Sequence, residues 1–157
     1  MTTENFTFLA NQASTKQLFY VWSIISLITH YLLLYKLNKK LLINMNMINL
    51  TFITMFIATL IPYKNGISFI AFLHVAFGYL SFILYNYDLL LIYTRLKSFN
   101  PNFVQLIFNL YIFMLSICFA IFMFYGSING LCEIIFCCST PILLSLYIIK
   151  VAEATHY

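Results

Sequence analysis

Charged residues are what this sequence has least of. They make up 8% of its 157 residues, with 8 Lys or Arg and 4 Asp or Glu. Hydrophobic residues make up 63%. A soluble domain carries about 25% charged residues. Because so few charges cannot keep a folded surface in water, most of the surface must face lipid or another membrane protein. The sequence therefore predicts a single integral membrane domain over residues 1–157, without a separate soluble domain.

The chain also lacks the short motifs on which most recognisable enzymes depend. It has 4 glycines and no Gly-rich phosphate loop, 4 cysteines but no C-x-x-C, and 3 histidines without an H-x-x-x-H pair. These absences argue against a nucleotide site, a thiol–disulfide centre and a metal site. We accordingly predict no cofactor, no metal and no catalytic residue. The basic residues stand at the ends of apolar runs rather than in a patch, so nucleic acid is not an expected partner.

Five apolar runs dominate what is present. Each is about twenty residues long and continuous, which favours membrane-crossing helices over the alternating ten-residue strands of a membrane barrel. We predict an all-α polytopic bundle with five transmembrane helices, at residues 18–35, 41–61, 67–94, 103–125 and 131–149. The short connections predict antiparallel packing of sequential helices. Pro141 predicts a kink in the fifth helix.

The basic residues predict an orientation for this bundle. Six of them fall on one side of the five predicted spans and two on the other: Lys36, Lys39, Lys40, Arg95, Lys97 and Lys150 against Lys16 and Lys64. Cytoplasmic loops are enriched in Lys and Arg, which places the N-terminus outside and the C-terminus in the cytoplasm. The predicted location is a bacterial cytoplasmic membrane, with the mitochondrial inner membrane as the alternative.

Two ionisable residues in the outer half of the predicted bundle suggest a polar pocket. His74 lies seven residues after the outer end of the third span, and Glu133 two residues after the outer end of the fifth. A rise of about 1.5 Å per residue brings them within about 10 Å of each other in depth. Because ionisable groups in a span normally face the bundle interior, we predict a ligand-binding pocket around both. The alternative is that Glu133 reaches water and His74 bonds a nearby carbonyl.

A second polar cluster is predicted in the inner half, from His30, Asn49, Asn86 and Asp88. Asp88 precedes Arg95 by two helical turns, and the favoured interpretation places it at the inner headgroups with its charge offset by Arg95 or the loop lysines. The asparagines are interpreted as hydrogen bonds between helices, and His30 as a packing residue.

Two stretches of the sequence carry a family resemblance. They are I-P-Y-K-N-G followed by F-L-H, at residues 61–66 and 72–74, and N-G-L-C-E-I-I at residues 129–135. Together they resemble small uncharacterised bacterial integral membrane proteins of five or six spans, a group distantly similar to the DRAM/Sfk-type family. His74 and Glu133 match the polar positions of these motifs. The resemblance implies a membrane bundle but no activity.

The function that we expect from these patterns is binding rather than catalysis. The chain would be a subunit, an accessory protein or a protein that binds lipid or a small ligand in the outer pocket. Its partners would be membrane lipids, with other membrane subunits or a second copy of the chain as further candidates. The alternative is a small transporter or a component of a proton-coupled channel. A lipid-modifying enzyme with His74 as a base is less favoured.

Overall fold

The computed structural model describes residues 14–61, 69–98, 100–125 and 130–154, and within these ranges the chain forms five helices and no strand. We label them in chain order as α1 (Lys16–Leu41), α2 (Met45–Leu60), α3 (Phe69–Leu96), α4 (Pro101–Tyr125) and α5 (Gly130–Ala154). The prediction of an all-α bundle is confirmed.

Four of these helices are long and apolar enough to cross a membrane, namely α1, α3, α4 and α5. Only 17–22% of the most apolar window in each is buried, so most of its apolar side chains point outward, as lipid contact requires. Helix α2 has 16 residues, which rise about 24 Å, short of the ~30 Å hydrocarbon core. The structure thus supports four candidate spans, while the fifth span and the sides of the termini stay predictions.

Helix α1 continues six residues beyond its predicted end at residue 35. The lysines of the segment Lys36–Lys40 are exposed, whereas Leu37 and Leu41 on the inward side are buried. The helix therefore passes through the charged cluster without burying a charge. It ends at Leu42, whose backbone is left-handed (φ 53°) and whose N–H bonds the Asn38 carbonyl.

Helix α2 begins four residues later than predicted. The Asn44 side chain accepts a hydrogen bond from the Asn46 backbone N–H at 2.9 Å, the usual role of an N-cap asparagine. Residues 42–44 thus form a short connection rather than the first turn of a helix.

Neighbouring helices in sequence run antiparallel, as the short connections predict. Contacts between α2 and α3 join Thr51 to Asp88 and Ile61 to His74, so residue numbers fall along one helix as they rise along the other. The same relation holds between α4 and α5, where Tyr147 bonds the Val104 carbonyl and Cys132 lies against Cys118. Helix α1 packs against α5 as well as α2, which closes the bundle into a ring.

The two ends of the bundle differ in packing. The main apolar core lies towards the end that carries Lys36–Lys40, Arg95 and Lys150, which we call the basic end. Its fully buried members come from four helices: Leu34 and Leu37 on α1, Ile48 on α2, Tyr85 and Ile92 on α3, and Leu144 on α5. The opposite end, where α1, α3 and α5 begin, contains a cleft.

Helix α5 runs through Pro141 without interruption. The proline has no N–H to offer the Cys137 carbonyl one turn earlier. Hydroxyls in this region do bond backbone carbonyls: Thr140 donates to Phe136 at 2.7 Å and Ser145 donates to Pro141 at 2.8 Å. The predicted kink stays a prediction.

Candidate functional site

A cleft of about 230 Å³ opens between α1, α2, α3 and α5 at the end opposite the basic end. His74 and Glu133, the two residues of the predicted outer pocket, both line it. The remaining lining is hydroxyl, aromatic and aliphatic, with Ser23, Ser26, Thr59 and Ser81 among the polar members and Phe19, Trp22, Met55 and Phe136 among the apolar ones.

The cleft extends inward along α1. Trp22 at its mouth is 36% exposed, whereas His30, two turns further along the same face, is 2% exposed. Eight residues of helix correspond to about 12 Å. The imidazole of His30 therefore forms the inner part of the cleft lining.

His74 is fixed by the end of helix α2. Its Nδ1 lies 2.8 Å from the Ile61 carbonyl oxygen, which closes α2 as its C-cap residue. Because a carbonyl oxygen only accepts hydrogen bonds, Nδ1 is the donor in this contact. The bond to a nearby carbonyl that the sequence left as an alternative is thus present, although His74 still lines the cleft.

Glu133 lies in the first turn of α5 and is half-buried in the cleft wall. A carboxylate is favourable there because the first turn of a helix carries unpaired backbone N–H groups and a partial positive charge. The structure brings Glu133 and His74 into one cleft. A direct pairing between the two stays a prediction.

His30 belongs to this cleft rather than to a separate inner cluster. Its Nδ1 donates to the Ser26 carbonyl at 2.7 Å, and its ring meets Tyr85 edge-on with ring centres 5.7 Å apart. Its Nε2 is buried and has no hydrogen-bond partner among the described residues.

The two asparagines of the predicted inner cluster lie apart from one another. Asn49 is exposed on α2 and accepts a bond from the Tyr31 hydroxyl at 3.3 Å. Asn86 on α3 accepts from the Tyr111 hydroxyl of α4 at 2.7 Å. Each connects two helices, which is the role that the sequence suggested for them individually.

Asp88 is fully buried and its side chain contacts Thr51 rather than Arg95, whereas its level relative to the headgroups stays a prediction. Its side chain is 0% exposed and its Oδ2 lies 2.7 Å from the Thr51 hydroxyl, whereas Arg95 is exposed. The cause is the rotation of α3, which turns the stripe of residues 81, 85, 88 and 92 towards the interior.

No match comes from known proteins. No family model matches the chain, and neither a curated protein nor a solved structure does. The resemblance to small bacterial membrane proteins therefore stays a prediction. Within the described ranges, no three His, Cys, Asp or Glu side chains group closely enough to hold a metal ion.

Three residues with polar side chains and 0% exposure have no role in the predicted site: Asn38, Thr51 and Tyr85. Both amide atoms of Asn38 and the Tyr85 hydroxyl lack partners among the described residues. For Tyr85 a signal existed, since it lies one turn before Asp88 on the same helical face. Asn38 and Thr51 gave none, because one lies in a lysine cluster and the other in an apolar run.

Proposed function

We propose that this chain is a non-catalytic integral membrane protein that binds a small ammonium-bearing group in the cleft. The ammonium would belong either to a lipid headgroup or to a free amine. In this proposal all five helices lie in the membrane, the N-terminus is outside, and the membrane is bacterial cytoplasmic or mitochondrial inner. The observation that supports it most directly is the joint presence of Glu133, Phe19 and Trp22 in one cleft.

The lining suits a cation of modest size. Glu133 supplies the carboxylate, and the rings of Phe19 and Trp22 supply aromatic surface. A cation over an aromatic face gains about 0.5–2 kcal/mol, more as water is excluded. A cleft of 230 Å³ is smaller than the roughly 300–1,000 Å³ of sites that hold drug-sized ligands. It therefore fits a lipid headgroup or a small amine rather than a drug-sized molecule.

The contact between Ser26 and His30 does not form a nucleophile–base pair. The Ser26 hydroxyl lies 3.5 Å from the Nδ1 of His30, which resembles a nucleophile beside a base. However, that nitrogen already donates to the Ser26 carbonyl at 2.7 Å, so it carries a proton and cannot accept one from the hydroxyl. His74 likewise commits its Nδ1 to a backbone carbonyl.

The single tryptophan of the chain makes the proposal testable, because Trp22 lies in the cleft wall. We would titrate the protein in lipid nanodiscs with choline and with 3,3-dimethylbutanol, which has the same shape but no charge, and follow Trp22 fluorescence. Choline should change the emission saturably and the neutral analogue should not. Glu133→Gln should weaken choline binding about tenfold, the equivalent of ~1.4 kcal/mol for a lost charged contact.

Two controls complete this experiment. Ser116→Ala changes an exposed serine on α4, outside the cleft, and should leave binding unchanged. Brominated phosphatidylcholine, compared with brominated phosphatidylglycerol, separates the sources, since a lipid ligand should quench Trp22 more strongly in the choline lipid. Equal binding of choline and its neutral analogue would contradict the proposal.

Proton-coupled transport is the second candidate, and one observation favours it. Polar atoms without partners among the described residues continue from the cleft into the interior, from His30 Nε2 to the Tyr85 hydroxyl and Asp88 Oδ1. Liposomes containing the protein and a pH-sensitive dye would test it. The absence of proton flux at every pH tried would leave only the binding function.

A further inference from the structure

We propose that Asp88 is a proton-binding site inside the bundle, where it holds its proton on Oδ2 and donates it to the Thr51 hydroxyl. The bond would fasten α3 to α2 away from the cleft. This inference does not depend on the ligand proposed for the cleft, since neither Asp88 nor Thr51 lines that cleft.

The hydrogen bonds of Thr51 lead to this assignment. Its Oγ1 lies 2.7 Å from Asp88 Oδ2 and 3.0 Å from the Met47 carbonyl oxygen. A hydroxyl has one proton and can donate to only one of these acceptors. If Asp88 carries a proton, Asp88 donates to Thr51 and Thr51 donates to Met47, and both short contacts become hydrogen bonds.

The ionised alternative is poorly supplied with donors. A carboxylate offers about four acceptor positions, and Thr51 could fill one of them. Oδ1 of Asp88 has no partner among the described residues, and no basic side chain of the described ranges forms an ion pair with this carboxyl. A buried charge without a counter-charge is far more costly than one unfilled carbonyl acceptor of a neutral acid.

The surroundings of Asp88 contain titratable groups but none that would hold its charge. Tyr85 lies near Asp88 on α3, one turn before it. The titratable groups around Tyr85 are His30 from α1, Tyr111 from α4 and Cys137 from α5. Helix α2 contributes Thr51, which does not titrate. Arg95 lies two turns along α3 and is exposed. The His30 nitrogen that faces the backbone is already a donor to Ser26.

Release of the proton would change how α2 is held against α3. The O–H bond at Oδ2 breaks, the proton leaves on a water molecule, and a carboxylate with Thr51 as its one available donor remains. In that state Thr51 gives up its bond to Met47. The contact between α2 and α3, the most extensive in the bundle, thereby becomes linked to proton uptake.

A single-site experiment is possible because Asp88 is the one aspartate of the sequence. We would prepare the full chain with aspartate carrying ¹³C at its side-chain carboxyl, reconstitute it in nanodiscs and record infrared spectra at neutral pH. A carboxylic acid carbonyl band that shifts with the isotope can come only from Asp88. We expect this band, and a carboxylate band in its place would overturn the proposal.

Two matched threonine variants test the hydrogen bond itself. Thr51→Val removes the acceptor with little change of shape and should move the labelled band to higher wavenumber. Thr54→Val is the control, because Thr54 is also buried on α2 but donates to the Thr51 carbonyl rather than to Asp88. It should leave the band in place. Equal shifts in the two variants would refute the Asp88–Thr51 bond.

Changing the buffer cation distinguishes a proton at Asp88 from a bound metal cation. Spectra recorded in sodium, potassium and N-methylglucamine buffers at one pH should show the same acid band. Loss of the band in sodium or potassium alone would show that a metal cation takes the place of the proton, and would overturn the proposal. The label needs no mutation, so the main measurement stands even if a variant fails to fold.

Discussion

Removal of the Tyr85 hydroxyl should stabilise this protein. The Tyr85 side chain is 0% exposed, and its hydroxyl has no hydrogen-bond partner among the described residues. Its ring packs edge-on against His30 and Phe136, with ring centres 5.7 and 5.6 Å away, and these contacts survive replacement by phenylalanine. An unpaired buried polar group costs about 1–3 kcal/mol, so Tyr85→Phe should raise the free energy of unfolding by up to that amount.

The matched control is a tyrosine whose hydroxyl is bonded. Tyr111 is also buried, but it donates to Asn86 at 2.7 Å. Hydrogen bonds between membrane helices contribute about 0.6 kcal/mol on average and up to roughly 1.7, so Tyr111→Phe should lower stability by that order. The two substitutions remove the same atom and should have opposite signs.

Reversible unfolding in mixed micelles, followed by circular dichroism against increasing dodecyl sulfate, would measure both variants. We expect the unfolding midpoint of Tyr85→Phe to lie above that of the parent protein and the midpoint of Tyr111→Phe to lie below it. If Tyr85→Phe were as destabilising as Tyr111→Phe, the Tyr85 hydroxyl would have a partner outside the described residues, and the argument from an unpaired atom would be refuted.

Two further substitutions test packing and backbone geometry. Leu34→Ala, at a position with 0% exposure, should lower the free energy of unfolding by about 2–3 kcal/mol. This is the low end of the range for core leucines, because the reference environment is lipid rather than water. Leu32→Ala, at 51% exposure, should lower it little, and similar losses for both variants in the same unfolding assay would contradict the packing. Leu42→Gly should raise the free energy of unfolding by about 1 kcal/mol, because Leu42 has a φ of 53° and its side chain is 89% exposed. A loss of stability would mean that the Leu42 side chain makes an anchoring contact.

The helices were predictable because long continuous apolar runs indicate membrane helices. The residues at which the helices end were not predictable in the same way. The predicted end of α1 at residue 35 followed from the charge of Lys36–Lys40. The helix continues because those lysines point outward while Leu37 and Leu41 point inward. Polarity averaged over a window of sequence does not separate the two faces of a helix. A count of membrane spans from run length alone also missed how short α2 is.

The candidate site was predictable in depth but not in rotation. Counting residues from the predicted helix starts brought His74 and Glu133 within about 10 Å of each other in depth, and both line the cleft. The same count assigned His30 and Asp88 to one inner cluster, yet the rotation of α1 and α3 decides what each meets. His30 reaches the cleft, whereas Asp88 meets Thr51 on a helix 37 positions away in sequence. Such a partner cannot be read from spacing within one helix.

Because α1 packs against α5, the ring of helices can close only once α5 is present. Helix α4 has its main contact with α5 and little with α3, where bonds such as Tyr111–Asn86 and Tyr93–Gln105 connect the two. Helix α1 likewise packs against α5, although more than a hundred residues separate their starts. A ribosome-bound chain that stops before Gly130 would therefore hold α1–α3 as a unit, with α4 loosely attached and one side of the assembly open to chaperones or neighbouring membrane proteins.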